Sequence, residues 1–304
     1  VPHPAFIVIE TFGVIGAGLM GLGMAESAAR AGLRVAVRDT DPARERLAHE
    51  RGLAVSPTPA ALADACEAIA LVVLDAAQIE TVLQGPGGLL AALQPAHLVL
   101  VCSTISPEDS ARFCAAVAAT GASVLDAPIS GGPARAQAGT MSMMLAGSPA
   151  TLARAEPLLA ALAARRFPIS ERPGDAARAK LVNNLMAGIH LLAGAEAMAL
   201  GERLGLDPVR LLDLVSASSG QSWMFDDRMP RALAGDLAPR AQSHVLTKDV
   251  RLANEAARAA GLDLPLGAPA AALMQALCDG GWREQDDAAA LAYYRERFAR
   301  TSRR

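Results

Sequence analysis

The sequence predicts an α/β protein in which a doubly wound, mostly parallel sheet is followed by an all-helical second domain. Two patterns carry that expectation. Between residue 11 and about residue 147, short apolar runs alternate with helix-length segments, as in sheets covered by helices on both faces. Beyond about residue 168 the strand-like runs stop and helical periodicity continues to the end. The composition gives both parts enough material for a core. Of 304 residues, 52% are hydrophobic and 19% charged, well clear of disordered chains. Aromatics are only 3%, so the cores must be built from Ala, Leu, Val and Met, which suits closely packed helices.

The first elements are the clearest. "TFGVIG" is a strand entering a glycine turn, and "LMGLGMAESAARAG" is a helix closed by Gly32. "RVAVRD" is a second strand; "DPARERLAHERG" is a helix with an Asp cap and a Gly stop. "EAIALVVL", "AHLVLVCS" and "ASVLDAPI" are continuous apolar strands of the kind found in parallel sheets, and "GTMSMMLAG" adds one more strand. The domain boundary is placed between residues 168 and 169. A helix from Gly174 to Leu204 then opens the second domain, about 45 Å long at 1.5 Å per residue. It is apolar on nearly every face, as buried helices are. Helices near 207–218, 243–260 and 266–278 follow.

Several classes are disfavoured. The net charge is −3, and no basic block or aromatic–basic interleaving supports nucleic-acid binding. Thr81 to Pro107 carries no Asp, Glu, Lys or Arg, but Gly85, Pro86, Gly87, Gly88 and Pro95 break it into turns, a helix and a strand rather than a membrane span. Cys66, Cys102, Cys114 and Cys278 form no metal-ligand spacing with the histidines, and no metal site is expected. They read as small buried hydrophobes in a reducing, cytoplasmic compartment. "VPHPAFIVIE" lacks a basic n-region and a cleavage pattern, so no signal peptide is read; it is taken as a short extension before the first strand. The arginine-rich "RERFARTSRR" reads as a solvated helix end and tail.

"GVIGAGLMG" places Gly16, Gly18 and Gly21 in G-x-G-x-x-G spacing between a strand and a helix. Gly16 permits the tight turn, Gly18 lets the backbone approach a pyrophosphate, and Gly21 allows helix and strand to pack closely. The helix N-terminus adds amide donors and a favourable dipole. Asp39 ends the second strand eighteen residues after Gly21, where a carboxylate can hold ribose hydroxyls and repel a 2′-phosphate. These features predict a Rossmann-type dinucleotide site for NAD rather than NADP. Arg38, beside Asp39, is the one neighbour that could instead face a phosphate.

Further motifs follow in order. In Ser130-Gly131-Gly132, glycines after a strand free backbone amides to form an anion nest, and Ser130 adds a hydroxyl. Thr104 lies at the end of a parallel strand, where such sheets bind ligands, or simply caps the next helix. "AKLVNN" puts Lys180 and Asn184 one turn apart on one face of an apolar helix.

With "FGVIGAGLMGLGMA" (12–25), "CSTISP" (102–107), "DAPISGGPARAQAGT" (126–140), "AKLVNN" and "LTKDVRLA" (246–253) in register, the chain resembles the β-hydroxyacid dehydrogenase family over nearly its whole length. The resemblance implies an NAD-binding domain over 1–168 and a substrate and oligomerisation domain over 169–304. It implies that Gly16, Ala17, Gly18, Leu19, Met20, Asp39, Leu74, Thr104 and Lys248 contact the cofactor. Ser130, Gly131, Gly132 and Asn184 would bind a small hydroxy acid, with Lys180 as the general acid/base. Desolvation in an interdomain cleft would favour the neutral amine that a base requires. Asn183 would serve neighbouring backbone, and Arg135 either the substrate or solvent. Trp223 and Phe225, in "SGQSWMF", would lie near the substrate or in the core. Lys248 and Asp249 resemble a family pair that closes over the cofactor.

Within the family, "SSGQSWMFDDRMPRALAGDLAPR" looks most like the branch acting on L-threonate, a four-carbon sugar acid. Tartronate semialdehyde reduction and 3-hydroxyisobutyrate oxidation stay open, as do a non-catalytic dinucleotide-binding module and an imine reductase. A homodimer or homotetramer is expected. One departure stands out: the family usually has glycines six and four residues before the lysine, whereas this chain has Gly174 and Ala176.

Overall fold

The computed structural model describes residues 9–301. The extension expected over the first residues and the last residues of the basic tail lie outside that range. The chain divides into two units, one ending at Lys180 and the other beginning at Leu181.

The first unit runs β1 (Thr11–Ile15), α1 (Leu19–Arg30), β2 (Arg34–Arg38), α2 (Pro42–Glu50), β3 (Ala54–Val55), α3 (Pro59–Ala65), β4 (Ala68–Leu71), α4 (Ala76–Gln84), β5 (Leu98–Val101), α5 (Pro107–Ala118) and β6 (Ser123–Asp126). These six strands are parallel, in the order β3-β2-β1-β4-β5-β6. Then come β7 (Ile129–Ser130), α6 (Gly132–Ala138), β8 (Met141–Ala146), α7 (Pro149–Leu162) and β9 (Ala163–Ser170). β8 pairs antiparallel with β6 and β7 along one edge and parallel with β9 along the other.

The apolar strands divide their side chains between two cores, as period-two geometry requires. Phe12, Val14, Ala68, Ala70, Leu98 and Leu100 pack on one face with α1 and α7. Ile15, Ile69, Leu71, Val99 and Val101 pack on the other with α3, α4 and α5. The four cysteines are buried thiols; burial pushes Cys66 up to about 11, far from a reactive thiolate.

α8 (Asp175–Arg203) carries the chain into the second unit, which continues with α9 (Pro208–Ser216), α10 (Trp223–Leu233), α11 (Ser243–Ala259), α12 (Gly267–Leu277) and α13 (Ala290–Thr301). Its core gathers Leu191, Leu192, Met198, Phe225, Met229, Val250, Met274 and Tyr294. Three close approaches favour glycine on α8: a Cβ on Gly188 would lie 2.4 Å from Val250, one on Gly194 2.8 Å from Phe225, and one on Gly201 2.2 Å from Leu211.

Four findings depart from the sequence reading. β9 is a strand where helix-like character was about to begin; β8 runs antiparallel to β6 and β7; α10 was not foreseen as a separate helix. In the single chain α8 is not buried on nearly every face, for Val182 is 65% exposed, Met186 50% and Leu200 51%. Among the described residues, no helix is long and apolar enough to cross a membrane, and no cluster of His, Cys, Asp and Glu could hold a metal.

Candidate active site

Register brings the strand ends of the first unit into one row. Ile15 aligns with Arg38 and with Leu71, Leu71 with Val101, and Val101 with Asp126. The loops after β1, β2, β4 and β5 therefore leave the sheet at one level. Strand order reverses between β1 and β4, the place where doubly wound sheets bind ligands. The loops carrying Gly16, Asp39, Leu74 and Thr104 all start from this row. Ser103 ties two of them together, accepting from Val73 N at 3.0 Å and donating to Leu71 O at 3.3 Å.

The glycine loop is built by close approach. Gly16 has φ +98°, and a Cβ there would lie 2.3 Å from Val72 O; at Gly21 it would lie 1.9 Å from Gly16 O. Gly18 differs, because its Cβ would meet only Arg44 Nη1, at 3.6 Å, so the loop surface is open to an approaching group. The buried Ala17 donates its N–H to Asp39 Oδ2 at 2.7 Å, and Asp41 N donates to Asp39 Oδ1 at 2.9 Å. Asp39 is thereby fixed against the loop. Leu19 is 55% exposed and Met20 partly buried at the start of α1.

Helix capping supports a ligand at this loop. Asp41, Thr58, Asp75, Ser106 and Ser148 cap α2, α3, α4, α5 and α7 with side-chain oxygens. α1 and α6 begin on Gly18 and Gly131 with no side-chain cap. At α1 this leaves first-turn amides for an anion such as a pyrophosphate. The chain's own residues therefore fit a dinucleotide.

Ser130 ends β7, opposite Ser142 of β8. Gly131 and Gly132 follow with φ of +132° and +75°, a backbone that side chains other than glycine adopt only with strain. The stem of Arg135 packs beneath them, since a Cβ on Gly131 would lie 2.8 Å from Arg135 Cδ. α6 itself rests on α1: at Gly23 a Cβ would lie 3.0 Å from the Ala136 side chain.

Lys180 and Asn184 are each only 7% exposed, one turn apart on α8. The start of α8 is held by Asp126, whose Oδ2 accepts from Gly174 N at 2.8 Å and Ala177 N at 3.1 Å. Burial pushes the Asp126 carboxyl above its ordinary value, and the Ala177, Ser110, Gly174 and Ala176 donors pull it back. Gly174 needs its φ of +96° for this turn. Ala176 is buried in the first helical turn, so alanine is accommodated there.

In the second unit, Asp249 joins two of the expected residues. Its Oδ2 accepts from Asn184 Nδ2 at 2.6 Å, and its Oδ1 lies 2.7 Å from Lys248 Nζ. Asn183 donates to the Asn184 carboxamide oxygen at 3.0 Å rather than to backbone. Phe225 is core, whereas Trp223 is 45% exposed, with the Arg228 guanidinium 5.6 Å from its ring.

The comparisons with known proteins decide the family. Residues 11–170 match the NAD binding domain of 6-phosphogluconate dehydrogenase, and residues 174–294 match a domain described as NAD-binding of NADP-dependent 3-hydroxyisobutyrate dehydrogenase. An L-threonate dehydrogenase of Cupriavidus necator is 38% identical over 94% of this chain and 96% of its own length. The chain belongs to the β-hydroxyacid dehydrogenase family. A solved 3-hydroxyisobutyrate dehydrogenase of Salmonella typhimurium superposes on this family member with a TM-score of 0.86 at 34% identity, covering 93% of this chain and 99% of the other. Psf3, solved in complex with NADP+ and 2-OPP, gives 0.87 at 27% identity, covering 93% and 99%. As a β-hydroxyacid dehydrogenase the chain is an oxidoreductase with an NAD(P)-binding domain and a small hydroxy-acid substrate.

Two positioning acids went unnoticed in the sequence. Asp126 sits inside the quoted "DAPISGG" segment and, like Asp39, is an acid ending an apolar parallel strand, which is the signal that could have revealed it. Glu45 lies in an ordinary-looking charged helix, and nothing in its spacing marks it.

Proposed function

We propose that this dehydrogenase oxidises L-threonate, or a similar four-carbon sugar acid, with NAD, and that Lys180 is its general acid/base. The observation that carries the reading is the burial of Lys180 and Asn184 on one face of α8. A lysine withdrawn from water is more easily deprotonated than a surface one, and only the neutral amine can accept a proton. Lys180 Nζ takes the proton from the substrate hydroxyl and returns it in the reverse direction. Ser130 and the amides of Gly131 and Gly132 hold the substrate carboxylate, and Asn184 orients a hydroxyl without adding charge. The nicotinamide, when bound, supplies the hydride acceptor. Gly16, Ala17, Gly18, Leu19, Met20, Asp39, Leu74, Thr104 and Lys248 are assigned to holding the cofactor.

The preference for NAD over NADP rests on Asp39, and the branch on the relatives named for L-threonate. The relative solved as a 3-hydroxyisobutyrate dehydrogenase favours that acid as the second substrate to test. Purified protein is expected to reduce NAD with L-threonate. Lys180→Ala should lose about a thousandfold or more of turnover, as for loss of an acid/base group, while still binding NADH. Full turnover by the alanine variant removes Lys180 from the role; turnover only with 3-hydroxyisobutyrate moves the substrate assignment.

The exposed apolar side of α8 supports assembly as a homodimer or homotetramer. Val182, Met186 and Leu200, with Leu204 just beyond the helix, leave apolar surface in water, and such patches commonly mark interfaces. Light scattering that finds a monomer rejects this reading.

A further inference from the structure

Asp39 has two arginines beside it, so charge counted at the strand end alone does not explain a preference for NAD. Arg38 directly precedes it at the end of β2, and Arg44 on α2 brings Nη1 to 3.5 Å from Asp39 Oδ2. A guanidinium is well shaped to grip a phosphate bidentately, and an arginine in this region is how related folds accept a 2′-phosphate. The structure shows why Arg38 is not available for that. Its Nη1 donates to Glu45 Oε1 at 2.6 Å and to the backbone oxygen of Asp39. The pair is more than half-sheltered, with side-chain exposures of 25% and 21%. The same Glu45 oxygen accepts from Asp39 N at 3.2 Å.

Glu45 is itself held in place. It lies in the first turn of α2, whose cap is Asp41; Asp41 Oδ1 accepts from Ala43 N at 2.9 Å, while Asp41 N donates to Asp39. An acid in the first turn is also favoured by the helix dipole. Arg44, the remaining cation, is 53% exposed and divided between Asp39 and Asp41. The cluster therefore holds three acids against two arginines, with the arginine next to Asp39 engaged by an acid from another element.

We propose that Glu45 is a specificity-determining positioning residue: by holding Arg38 it keeps that guanidinium from a 2′-phosphate and so maintains discrimination against NADP. The proposal rests on the reading of Asp39 as the ribose-binding acid of an NAD enzyme. Removing Glu45 releases Arg38 and leaves the cluster with equal numbers of acids and arginines. Glu45→Ala should be well tolerated, since the site is a helix turn and alanine favours helix.

The test is direct titration of the full chain with NADH and NADPH by nicotinamide fluorescence, which needs no knowledge of the substrate. The wild type is expected to bind NADH more tightly. In Glu45→Ala the ratio of NADPH to NADH affinity should rise about tenfold, the worth of roughly one charge-assisted contact. Glu45→Gln, which keeps the shape and loses the charge, should fall between. Arg38→Ala added to Glu45→Ala should abolish the gain. An unchanged ratio in Glu45→Ala, with the wild type still preferring NADH, overturns the inference alone. A gain that survives Arg38→Ala overturns it as well, by assigning the effect to net charge. A wild type that prefers NADPH overturns both the inference and the reading of Asp39.

Discussion

Asp126 in the first unit and Asp287 in the second are buried acids held in opposite ways. In the first, Asp126 is 1% exposed and is answered by backbone amides at the start of α8. In the second, Asp287 is 1% exposed and is answered by the Arg228 guanidinium, while Asp286 takes the amides of Arg240 and Ala241 and faces Arg231 at 3.0 Å. The difference separates two tasks. Amide donors fixed in a helix turn accept a carboxylate in one orientation, so Asp126 determines where a helix begins. A buried ion pair links two separate elements, here α10 and the turn before α13, and each partner depends on the other to offset its desolvation.

The largest expected effect comes from halving the ion pair. Asp287→Ala leaves Arg228 buried with the partly exposed Asp227 as its remaining ion-pair partner, and should lower stability by about 3–5 kcal/mol in urea unfolding. Replacing both partners, Arg228→Met with Asp287→Leu, should recover most of that loss. If the double variant is no more stable than the single, the pair does more than offset its own burial cost. Acid titration adds a second measurement. Burial pushes Asp287 up to about 6 from its ordinary 3.8, despite Arg228. Between those values the folded chain holds a proton that the unfolded chain has released. The stabilisation is therefore complete below about pH 4 and is lost as pH rises through about 6. The stability difference between wild type and Asp287→Asn should shift in favour of the wild type as pH falls through this window. A pH-independent difference places the proton elsewhere.

Asp126 comes next. Asp126→Ala orphans buried amides at the start of α8 and should cost about 1–3 kcal/mol. Because the helix turn it anchors leads directly to Lys180, turnover should fall while NADH affinity holds. Asp126→Asn keeps an acceptor oxygen and should restore much of both. If the alanine variant loses stability yet keeps full kcat, Asp126 is a cap and nothing more.

These acids also show what was legible in the sequence. The continuous apolar runs of β4 and β5 and the glycine punctuation around α1 and α2 were read because each pattern is local. α8 was readable as one long helix because nothing breaks its periodicity. β9 was not, for "AARRFPIS" leaves Arg165, Phe167 and Ile169 in water and so lacks the apolar signal of a covered strand. The exposed side of α8 escaped because an apolar helix reads the same whether its cover is present or not. In the site, Gly16 and Asp39 announce themselves by spacing. Glu45 and Asp126 act through partners 7 and 48 residues away, and such pairings exist only once the chain has folded.

The smallest effect is at Ala176, where the family usually has glycine. Ala176 is fully buried in the first turn of α8, and Asp126 draws on the backbone of that turn rather than on its side chain. Ala176→Gly therefore keeps every donor while adding backbone freedom and removing a buried methyl, at a cost of about 1–2 kcal/mol. If Asp126 positions α8 through amides alone, this variant should lose stability comparable to Asp126→Ala and yet retain wild-type kcat with every substrate tested. A loss of turnover matching that of Asp126→Ala would show that the methyl, not the carboxylate, sets the entry of the helix, and the contrast between the amide-held and the ion-paired acid would lose its functional half.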